Sequence, residues 1–469
     1  MPQSPPLGST GPARPPAGAS AAQAIDWDAV QAEVVGHLQQ LIRFDTTNPP
    51  GNELPVARYL EAALLAEDIE TSVFEPFPNR GAVIARIRGT GAQRPVMLLA
   101  HMDVVGVERE RWSVDPFGGV VRDGYLYGRG AIDDKGMLAA NLVTMLLLQR
   151  GLAAGGPQLS RDVVFVATSD EEASGEAGIE WLLTNHAGLL DAEVALNEGG
   201  RVRIVNGQPL YTAVQTSEKI SHILTVTARG PAGHGSVPLP GNAVVRLAKA
   251  LAAIGDHREP VVLLPTTRRF FEQLSRVWPD ETESRAMADL VSDDAARSQR
   301  GSSVLAAVPS FDAVLRTGIA PTIVRGGATF NVIPGEAEAV LCVRTLPGEP
   351  LDATIQRLSD AVADENVEIA VTIRGEDAPP SDFNSPLFAA IEATVQELAP
   401  GVATAPYLST GATDSAHLRR RGVQALGVLP FPLEPGDERR MHGHDERIPL
   451  ASLVFGTRLV FGAIRRVAS

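Results

Sequence analysis

Histidine and carboxylate side chains occur in five segments of the sequence, most of them directly after apolar runs. His101 and Asp103 follow VMLLA, Asp170, Glu171 and Glu172 follow VVFVATS, Glu198 follows VALN, Asp133 and Asp134 lie in YGRGAIDDKG, and His442 and His444 lie in MHGHDE. One such residue alone is more often a surface side chain than a ligand, but five segments in one chain predict a metal site. Imidazoles with several carboxylates and no paired thiolates favour zinc, with cobalt or manganese as alternatives, over a cysteine-type structural zinc or calcium.

The abundance of carboxylates in these segments fits two metal ions better than one. Two ions about 3.5 to 4 Å apart need a shared carboxylate, which offsets their mutual repulsion. Such a pair lowers the pKa of a bound water and polarises a carbonyl oxygen. The chemistry expected of the site is therefore hydrolysis of an amide or a related acyl bond.

Strands and helices must bring these segments together. Strand-like runs at 82–89, 94–100, 162–168 and 192–197 alternate with helical patterns at 55–68 and 136–150, the second ending at Gly151. This alternation predicts an α/β fold with a mostly parallel sheet flanked by helices. Ligand sites in such sheets lie at the carboxyl ends of the strands, where these side chains occur.

The pattern of apolar and polar residues changes near residue 216. The segment HILTVTAR alternates with period two, which places Leu224, Val226 and Ala228 on one face, and NAVVRLAKALAAIG predicts a helix capped by Asn242. Two further strand candidates are APTIVRGG and EAEAVLCVRTL, and the stretch 265–320 between helix and strands is helical and polar in pattern. We therefore predict a catalytic domain over 26–215 and 347–469, an inserted α+β domain over 216–346, and a disordered tail over 1–25.

Composition excludes some classes of partner. The chain has 469 residues, 41 basic against 56 acidic side chains and a net charge of -15, without long runs of either sign. This argues against nucleic acid and membrane as partners. No apolar run reaches the roughly 18 residues of a membrane span, and the helix near 136–151 is expected in the core. The only cysteine, Cys342, cannot form an intramolecular disulfide, which favours the cytoplasm.

The segments LAHMDVV, WSVDPFGG, YGRGAIDDKG, TSDEEASG, NEGG, GHGSVP, NVIPGEAEA, STGATDSAH and MHGHDERI occur in this order along the chain. In order and spacing, over about residues 40–460, they resemble the co-catalytic zinc peptidase family of aminoacylase, carboxypeptidase G, carboxypeptidase S, carnosinase and succinyl-diaminopimelate desuccinylase. The resemblance implies a two-domain, di-zinc hydrolase whose inserted domain is a lid and dimerisation domain, with a homodimer formed through it.

The resemblance also assigns roles to single residues. It implies that His101 and Glu198 bind one zinc, that Glu172 and His442 bind the other, and that Asp133 bridges both. His444 is close enough in sequence to compete with His442, which we prefer. Asp103 matches the aspartate that holds the ligand histidine, and residues two apart on an extended segment face the same side, so the carboxylate can orient His101. The family also implies a cis peptide between Asp133 and Asp134.

The adjacent glutamates then receive different roles. Side chains of neighbouring residues diverge at a strand end, so Glu172 can bind zinc while Glu171 faces the water between the metals. A base in that place takes a proton from the water and passes it to the leaving nitrogen. Asp170 is assigned only to local hydrogen bonding. The simpler alternative is an acidic turn capped by Asp170.

The predicted insert supplies candidate substrate contacts. By resemblance, His234 stabilises the oxyanion, commonly from a partner subunit, and Asn331 and Arg344 bind the substrate's carboxylate. A guanidinium fork fits a terminal carboxylate in bidentate fashion. Cys342 stands where many relatives carry an acidic residue. Gly411 resembles part of a substrate-site loop.

The predicted function is hydrolysis of a small peptide or an N-acyl amino acid with a free carboxylate. The alternatives are a deacylase of the acetylornithine or succinyl-diaminopimelate type, and a non-catalytic binding protein on the same fold. The nucleophile elbow of a serine hydrolase, G-x-S-x-G, and the phosphate loops of nucleotide-binding enzymes do not occur in the sequence.

Overall fold

The computed structural model describes residues 25–469. The tail predicted for 1–25 lies, except for its last residue, outside this range. The helices are α1 Trp27–Arg43, α2 Leu54–Leu65, α3 Lys135–Ala153, α4 Ile179–Asn185, α5 Ala243–Asp256, α6 Pro265–Leu274, α7 Glu281–Leu290, α8 Ala295–Leu305, α9 Pro309–Asp312, α10 Leu351–Val362, α11 Pro386–Leu398, α12 Ser415–Arg420, α13 Pro435–Glu438 and α14 Leu450–Ala468. The strands are β1 Glu70–Phe77, β2 Arg80–Ile87, β3 Val96–His101, β4 Val120–Arg122, β5 Tyr125–Tyr127, β6 Val163–Thr168, β7 Val194–Val205, β8 Gln208–Glu218, β9 Ile220–Arg229, β10 Gly233–His234, β11 Gly318–Gly326, β12 Val332–Ile333, β13 Glu336–Thr345, β14 Val367–Ile373, β15 Ala403–Ser409, β16 Gln424–Leu433 and β17 Arg447–Pro449.

A sheet of eight strands forms the centre of the larger unit, in the order β1-β2-β6-β3-β7-β16-β8-β15. The neighbours β6–β3, β3–β7, β7–β16 and β15–β8 are parallel, and the other three neighbouring pairs are antiparallel. One face packs against α1, α2, α3, α11 and α14, and the other against α4 and α12. The predicted α/β fold with a mostly parallel sheet flanked by helices is confirmed.

Helix α3 is the one helix among residues 25–469 that is long and apolar enough to cross a membrane. It packs against α1, α14 and β3, and most of its residues are buried, as expected for a core helix. The helix continues through Gly151 to Ala153, so the predicted stop at Gly151 is two residues early.

A second, antiparallel sheet has the order β11-β13-β9-β14 and is covered on one face by α5 and α10. Leu224, Val226 and Ala228 are buried in this core, and the Asn242 side chain caps α5, as the sequence predicts. The chain does not return to the large sheet at residue 347. Strand β14 pairs with β9 along its length, so the second sheet extends to Ile373. The predicted boundary at 346 is therefore too early.

The helical stretch predicted at 265–320 does not belong to the second sheet either. Helices α6 to α9 share a hydrophobic core with β8 and β15, the edge of the large sheet, with Phe270 and Phe271 packed near Tyr211, Ala405 and Leu408. The segment therefore extends the larger unit, although it lies between strands of the smaller sheet in sequence.

Candidate metal centre

Parallel pairing places the predicted site residues at one level of the sheet. His101 is the last residue of β3 and pairs with Thr168, the last residue of β6, while Leu98 pairs with Leu196 of β7. The turn at 169–172 therefore meets His101 at the carboxyl ends of β6 and β3. Glu198 lies inside β7, on the part of that strand next to the end of β3. The other two site segments, around Asp133 and around 442, lie in loops over this end.

The carboxylate of Asp133 lies between two histidines. Its Oδ1 is 3.1 Å from Nε2 of His101, and its Oδ2 is 3.1 Å from Nε2 of His442. The Asp133–Asp134 peptide is cis, as predicted. One carboxylate with an oxygen towards each imidazole has the arrangement of a group that bridges two cations.

The predicted ligands form two groups that share Asp133. One is His101, Asp133 and Glu198, and the other is Asp133, Glu172 and His442, each with its ligand atoms within 4.8 Å of one another. We call these five residues the histidine–carboxylate cluster. His442, not His444, belongs to it, which agrees with the preferred assignment. Glu171 belongs to neither group, although its Oε2 is 4.0 Å from Nε2 of His101.

The cluster concentrates negative charge in a buried place. Within residues 25–469, no lysine or arginine lies within ion-pair distance of Asp133, Glu171, Glu172 or Glu198. Burial and the nearby Asp133 raise the pKa of Glu198 to about 8, and burial and Glu198 raise the pKa of Glu171 well above its usual range. Oε1 of Glu172 is buried, and Nε2 of His442 lies 3.2 Å from it. Cations would relieve this repulsion, so the residues present fit a pair of divalent metal ions.

Burial and the nearby carboxylates have opposite effects on the pKa values of the two histidines. Burial alone would lower the pKa of His101, but Asp103 and Asp133 raise it well above its usual value. Hydrogen bonds to Asp133 and Glu172 raise the pKa of His442 to about 10. Both imidazoles therefore contact carboxylates, as histidines that bind cations do, although the side chain of His442 is half exposed and that of His101 is buried.

Asp103 contacts both His101 and the turn that carries the glutamates. Nδ1 of His101 is 3.0 Å from the backbone oxygen of Asp103 and 3.4 Å from its Oδ1, so the backbone oxygen is the nearer acceptor, not the predicted carboxylate. The carboxylate instead accepts the backbone N–H groups of Glu171 at 3.2 Å and Glu172 at 3.1 Å. With Nδ1 occupied, Nε2 of His101 faces the cluster.

Asp170 organises the turn, as the sequence predicts. Its side chain accepts hydrogen bonds from Ser174 Oγ at 2.7 Å and from the Ala177 N–H at 3.2 Å, and its backbone has a positive φ of 70°. It also contacts Asn48 and Arg80, which lie outside the turn.

The loops that carry Asp133 and His442 are joined by a buried ion pair. Arg129 Nη1 is 2.6 Å from Glu446 Oε2, and Glu446 also accepts the N–H groups of Gly130, Ile132 and Asp133. Sequence reasoning gave no role to Glu446, although it stands at the end of the MHGHDE motif. The motif therefore supplies both a cluster residue and the support of the other loop.

The predicted substrate residues are divided among three places. Gly411 lies in the loop between β15 and α12, beside Asp414, whose carboxylate accepts a hydrogen bond from Thr168 Oγ1 at 2.8 Å. Burial raises the pKa of Asp414 to about 7. This loop adjoins the cluster.

His234 and Asn331 lie together on the smaller unit. His234 pairs with Val332 in the ladder of β10 and β12. The backbone N–H of Gly235 donates to the backbone oxygen of Asn331 at 2.8 Å. The His234 side chain is exposed and its Nδ1 accepts from Ser236, and it makes no hydrogen bond to the cluster.

Arg344 lies on β13, where it pairs with Ser221 at the start of β9. Within residues 25–469, no carboxylate lies within 4.0 Å of its guanidinium, and Nη1 is buried without a hydrogen bond. Cys342, two residues earlier on the same strand, is a free thiol. Arg344 is therefore a cation without a counterion in the described chain.

Asn48 is another residue near the cluster to which the sequence analysis gave no role. It lies in TTNPPG, which has the composition of a turn and follows no apolar run. Its side chain reaches Asp103 Oδ2 at 2.9 Å. No local sequence signal indicates that a residue 55 positions earlier supports that carboxylate.

Comparisons with known proteins agree with this geometry. The sequence model described as Peptidase family M20/M25/M40 matches residues 97–466. The chain is 28% identical to human N-fatty-acyl-amino acid synthase/hydrolase PM20D1, over 79% of this chain and 74% of that protein. It is 31% identical to the probable carboxypeptidase S-like 2 of Dictyostelium discoideum, over 76% of this chain and 68% of that protein.

A solved structure gives the same fold. The M20 family metallo-carboxypeptidase Sso-CP2 from Sulfolobus solfataricus aligns with a TM-score of 0.69 and 17% identity, covering 93% of this chain and 99% of that one. At this identity the likeness concerns the fold alone. The family match covers most of the chain, and the chain therefore belongs to peptidase family M20/M25/M40.

Proposed function

We propose that the chain is a di-zinc hydrolase that cleaves the amide bond of an N-acyl amino acid or a small peptide with a free carboxylate. The observation that carries this proposal is the placement of Asp133 between His101 and His442, with Glu171 beside the cluster but outside both ligand groups. The donor set of imidazole and carboxylate suits zinc, cobalt or manganese, and we take zinc as the default.

Each side chain has a distinct task in this proposal. His101 and Glu198 would hold one ion, Glu172 and His442 would hold the other, and Asp133 would serve both. When bound, the ions would lower the pKa of a water and polarise the substrate's carbonyl group. Glu171 accepts the proton of the attacking water and transfers it to the leaving nitrogen. Asp103 orients the turn that presents both glutamates.

The substrate class rests on Arg344 and on the names of the relatives. An arginine without an internal counterion suits a carboxylate, which a guanidinium binds in bidentate fashion. The two sequence relatives described above are named for N-fatty-acyl amino acids and for carboxypeptidase S. We favour an N-acyl amino acid or a peptide cleaved at its C-terminus over acetylornithine or succinyl-diaminopimelate.

We further propose that the chain forms a homodimer through the second sheet. Strand β11 is an edge strand whose residues Ala320–Gly326 are exposed, among them Ile323 and Val324, and Val244 and Val245 of α5 are exposed close by. An exposed apolar edge strand favours pairing with another chain. In such a dimer, His234 would serve the partner's cluster.

The cytoplasm is the proposed location, since the chain has a single cysteine, which is free. Fractionation of the source cells would test this. An extracellular or membrane-associated protein would contradict it.

The function is tested by metal analysis combined with a substrate panel. We expect about two divalent ions per chain, loss of hydrolysis after chelation, and recovery with zinc. The panel contains N-acyl amino acids of increasing acyl length, dipeptides, acetylornithine and succinyl-diaminopimelate. Fast hydrolysis of one of the last two would favour the deacylase alternative, and no hydrolysis by fully loaded protein would favour a non-catalytic role.

A further inference from the structure

A buried polar network lies behind the histidine–carboxylate cluster and touches none of its metal-facing atoms. Its members are Glu53, Arg80, Asp170, Asn48 and Asp103, and we call it the bracing network. Arg80 contacts Glu53 at 2.7 Å and Asp170 at 3.2 Å. The Asn48 side-chain nitrogen donates to Asp103 Oδ2 at 2.9 Å and to Asp170 Oδ1 at 3.0 Å. One amide therefore joins two carboxylates.

The charges of the network make this amide important. Three carboxylates are present, but Arg80 is the only cation, and it reaches Glu53 and Asp170 but not Asp103. Asp103 is fully buried, and Asn48 is 7% exposed. A buried carboxylate needs donors, and Asn48 is the one side chain in the described residues that donates to both aspartates.

Asp103 and Asp170, the two aspartates that Asn48 joins, hold the turn that carries Glu171, the proposed base. Asp103 accepts the N–H groups of Glu171 and Glu172, and Asp170 closes the turn through Ser174 and Ala177. A fixed distance between the two carboxylates therefore fixes both ends of the segment that presents Glu171. Asp103 also lies beside His101. The Asn48 amide therefore influences the position of His101, a proposed metal ligand, as well.

The backbone around Asn48 is itself held in place. The hydrogen bonds that hold it are Lys135 Nζ to the Phe44 oxygen at 2.8 Å, Thr46 Oγ1 to the Met102 oxygen at 2.7 Å, and Asn48 N to the Val104 oxygen at 2.9 Å. The three partner residues are Lys135, Met102 and Val104, which follow Asp133 or His101 closely in the chain. The amide is therefore presented from a rigid segment, as a positioning group requires.

We propose that Asn48 is a positioning residue for the hydrolysis, and that it sets the place of Glu171 relative to His101 by joining Asp103 to Asp170. Its amide acts through the two aspartates. This inference rests on the proposed function, because the place of Glu171 matters only if that residue moves protons. Groups that support metal ligands from behind typically change activity or metal affinity about 10- to 100-fold when removed.

The test compares Asn48→Ala with Asn141→Ala. Asn141, on α3, is also buried, but its amide donates to the backbone oxygen of Leu99 on β3 and contacts no member of the bracing network. We expect Asn48→Ala to lower kcat about 10- to 100-fold with KM within about threefold of wild type. We expect Asn141→Ala to lower the melting temperature while kcat stays within about twofold. An unchanged kcat in Asn48→Ala, or equal losses in both variants, would overturn the proposal.

A second readout does not depend on catalysis. In protein loaded with Co²⁺, the visible absorption reports the surroundings of the metal ligands, so Asn48→Ala should alter the spectrum and Asn141→Ala should not. If Asn48→Ala does not fold, Asn48→Ser, whose hydroxyl can serve only one aspartate, should change kcat and the spectrum in the same direction. Wild-type protein that binds cobalt but hydrolyses no substrate would refute the proposed function, whereas an identical spectrum in the folded Asn48 variant would refute the role of Asn48.

Discussion

Arg129 and Glu446 form a buried ion pair, with Nη1 2.6 Å from Oε2, that joins the loop carrying Asp133 to the loop carrying His442. Neither residue belongs to the histidine–carboxylate cluster. Because Glu446 also accepts three backbone N–H groups from residues 130–133, it fixes the approach of Asp133 to the cluster.

Loss of this pair should therefore affect both stability and metal binding. Removing one partner of a buried pair leaves an uncompensated charge, so Glu446→Ala should lower the free energy of unfolding by about 3 to 5 kcal/mol. Glu70→Ala, which breaks the exposed pair with Arg88, is the control and should cost less than about 1 kcal/mol. Urea titration measures both values, and zinc titration of Glu446→Ala should give weaker binding than wild type. Equal unfolding energies for the two variants would contradict the role of Glu446.

The adjacent glutamates should separate metal binding from catalysis. Glu171→Gln removes the proposed base without removing a cluster member. It should therefore abolish hydrolysis and leave the metal content at about two ions per chain. Glu172→Ala removes a cluster member and should lose metal as well as activity. Elemental analysis of the two purified variants decides the matter. Similar metal loss in both would mean that the two roles are wrongly divided.

Protein without metal should lose stability as the pH rises. The folded pKa of Glu198 is raised to about 8, so its protonated form contributes stability that is fully present below about pH 4.5 and is lost as the pH rises through about 8. His442, whose pKa is raised to about 10, acts in the same direction, since it favours the folded state most below about pH 6.5.

Urea unfolding of chelated protein between about pH 5 and pH 9 should therefore give a falling free energy of unfolding. Glu198→Gln, which cannot titrate, should give a smaller slope, and saturating zinc should also reduce it because the ions replace the protons. A free energy that rises with pH in chelated wild type would contradict the charge balance described for the cluster.

Arg344 should act on the carboxylate of the substrate and on nothing else. For an N-acyl amino acid, Arg344→Ala should lower kcat/KM about 10- to 100-fold, the magnitude expected from loss of a charge-assisted hydrogen bond. For the matching N-acyl amino acid amide, which has no carboxylate, wild type and Arg344→Ala should have similar kcat/KM. An equal loss on both substrates would instead indicate that Arg344 supports the structure of β13.

Part of the cluster could be predicted from local sequence because His101 and the turn with Glu172 stand at strand ends. Apolar runs locate β3 and β6, and the parallel-sheet rule then brings His101 and the turn at 169–172 to one edge. The order of the segments and their family resemblance supplied Asp133 and His442, which lie in loops. Local pattern was therefore sufficient for His101 and the adjacent glutamates, whereas Asp133 and His442 required the family resemblance.

The parts that could not be predicted depend on long-range pairing. The alternating pattern of β14 suits a strand in either sheet, and only its pairing with β9, well over a hundred residues earlier, assigns it to the smaller one. The same applies to α6, whose apolar face packs on β15 rather than on the sheet next to it in sequence. Asn48 was missed because an amide in a turn carries no chemical signal until its two carboxylate partners are known.

His234 provides the sharpest test of the proposed dimer. It lies on the smaller unit, is exposed, and makes no hydrogen bond to the cluster of its own chain. If it donates to the oxyanion at the partner's cluster, His234→Ala should lower kcat about 100- to 1,000-fold, as loss of one oxyanion donor does.

Mixing two inactive variants distinguishes action in the partner from action within one chain. In a mixed dimer of His234→Ala and Glu171→Gln chains, one site combines an intact Glu171 with the other chain's intact His234, whereas the second site lacks both. Random pairing makes half of the dimers mixed, so co-refolding should restore up to about a quarter of wild-type activity. Size-exclusion chromatography of differently tagged chains verifies that mixed dimers form. Mixed dimers without activity would confine His234 to its own chain or exclude it from the reaction, and wild-type turnover of His234→Ala alone would remove it from the mechanism.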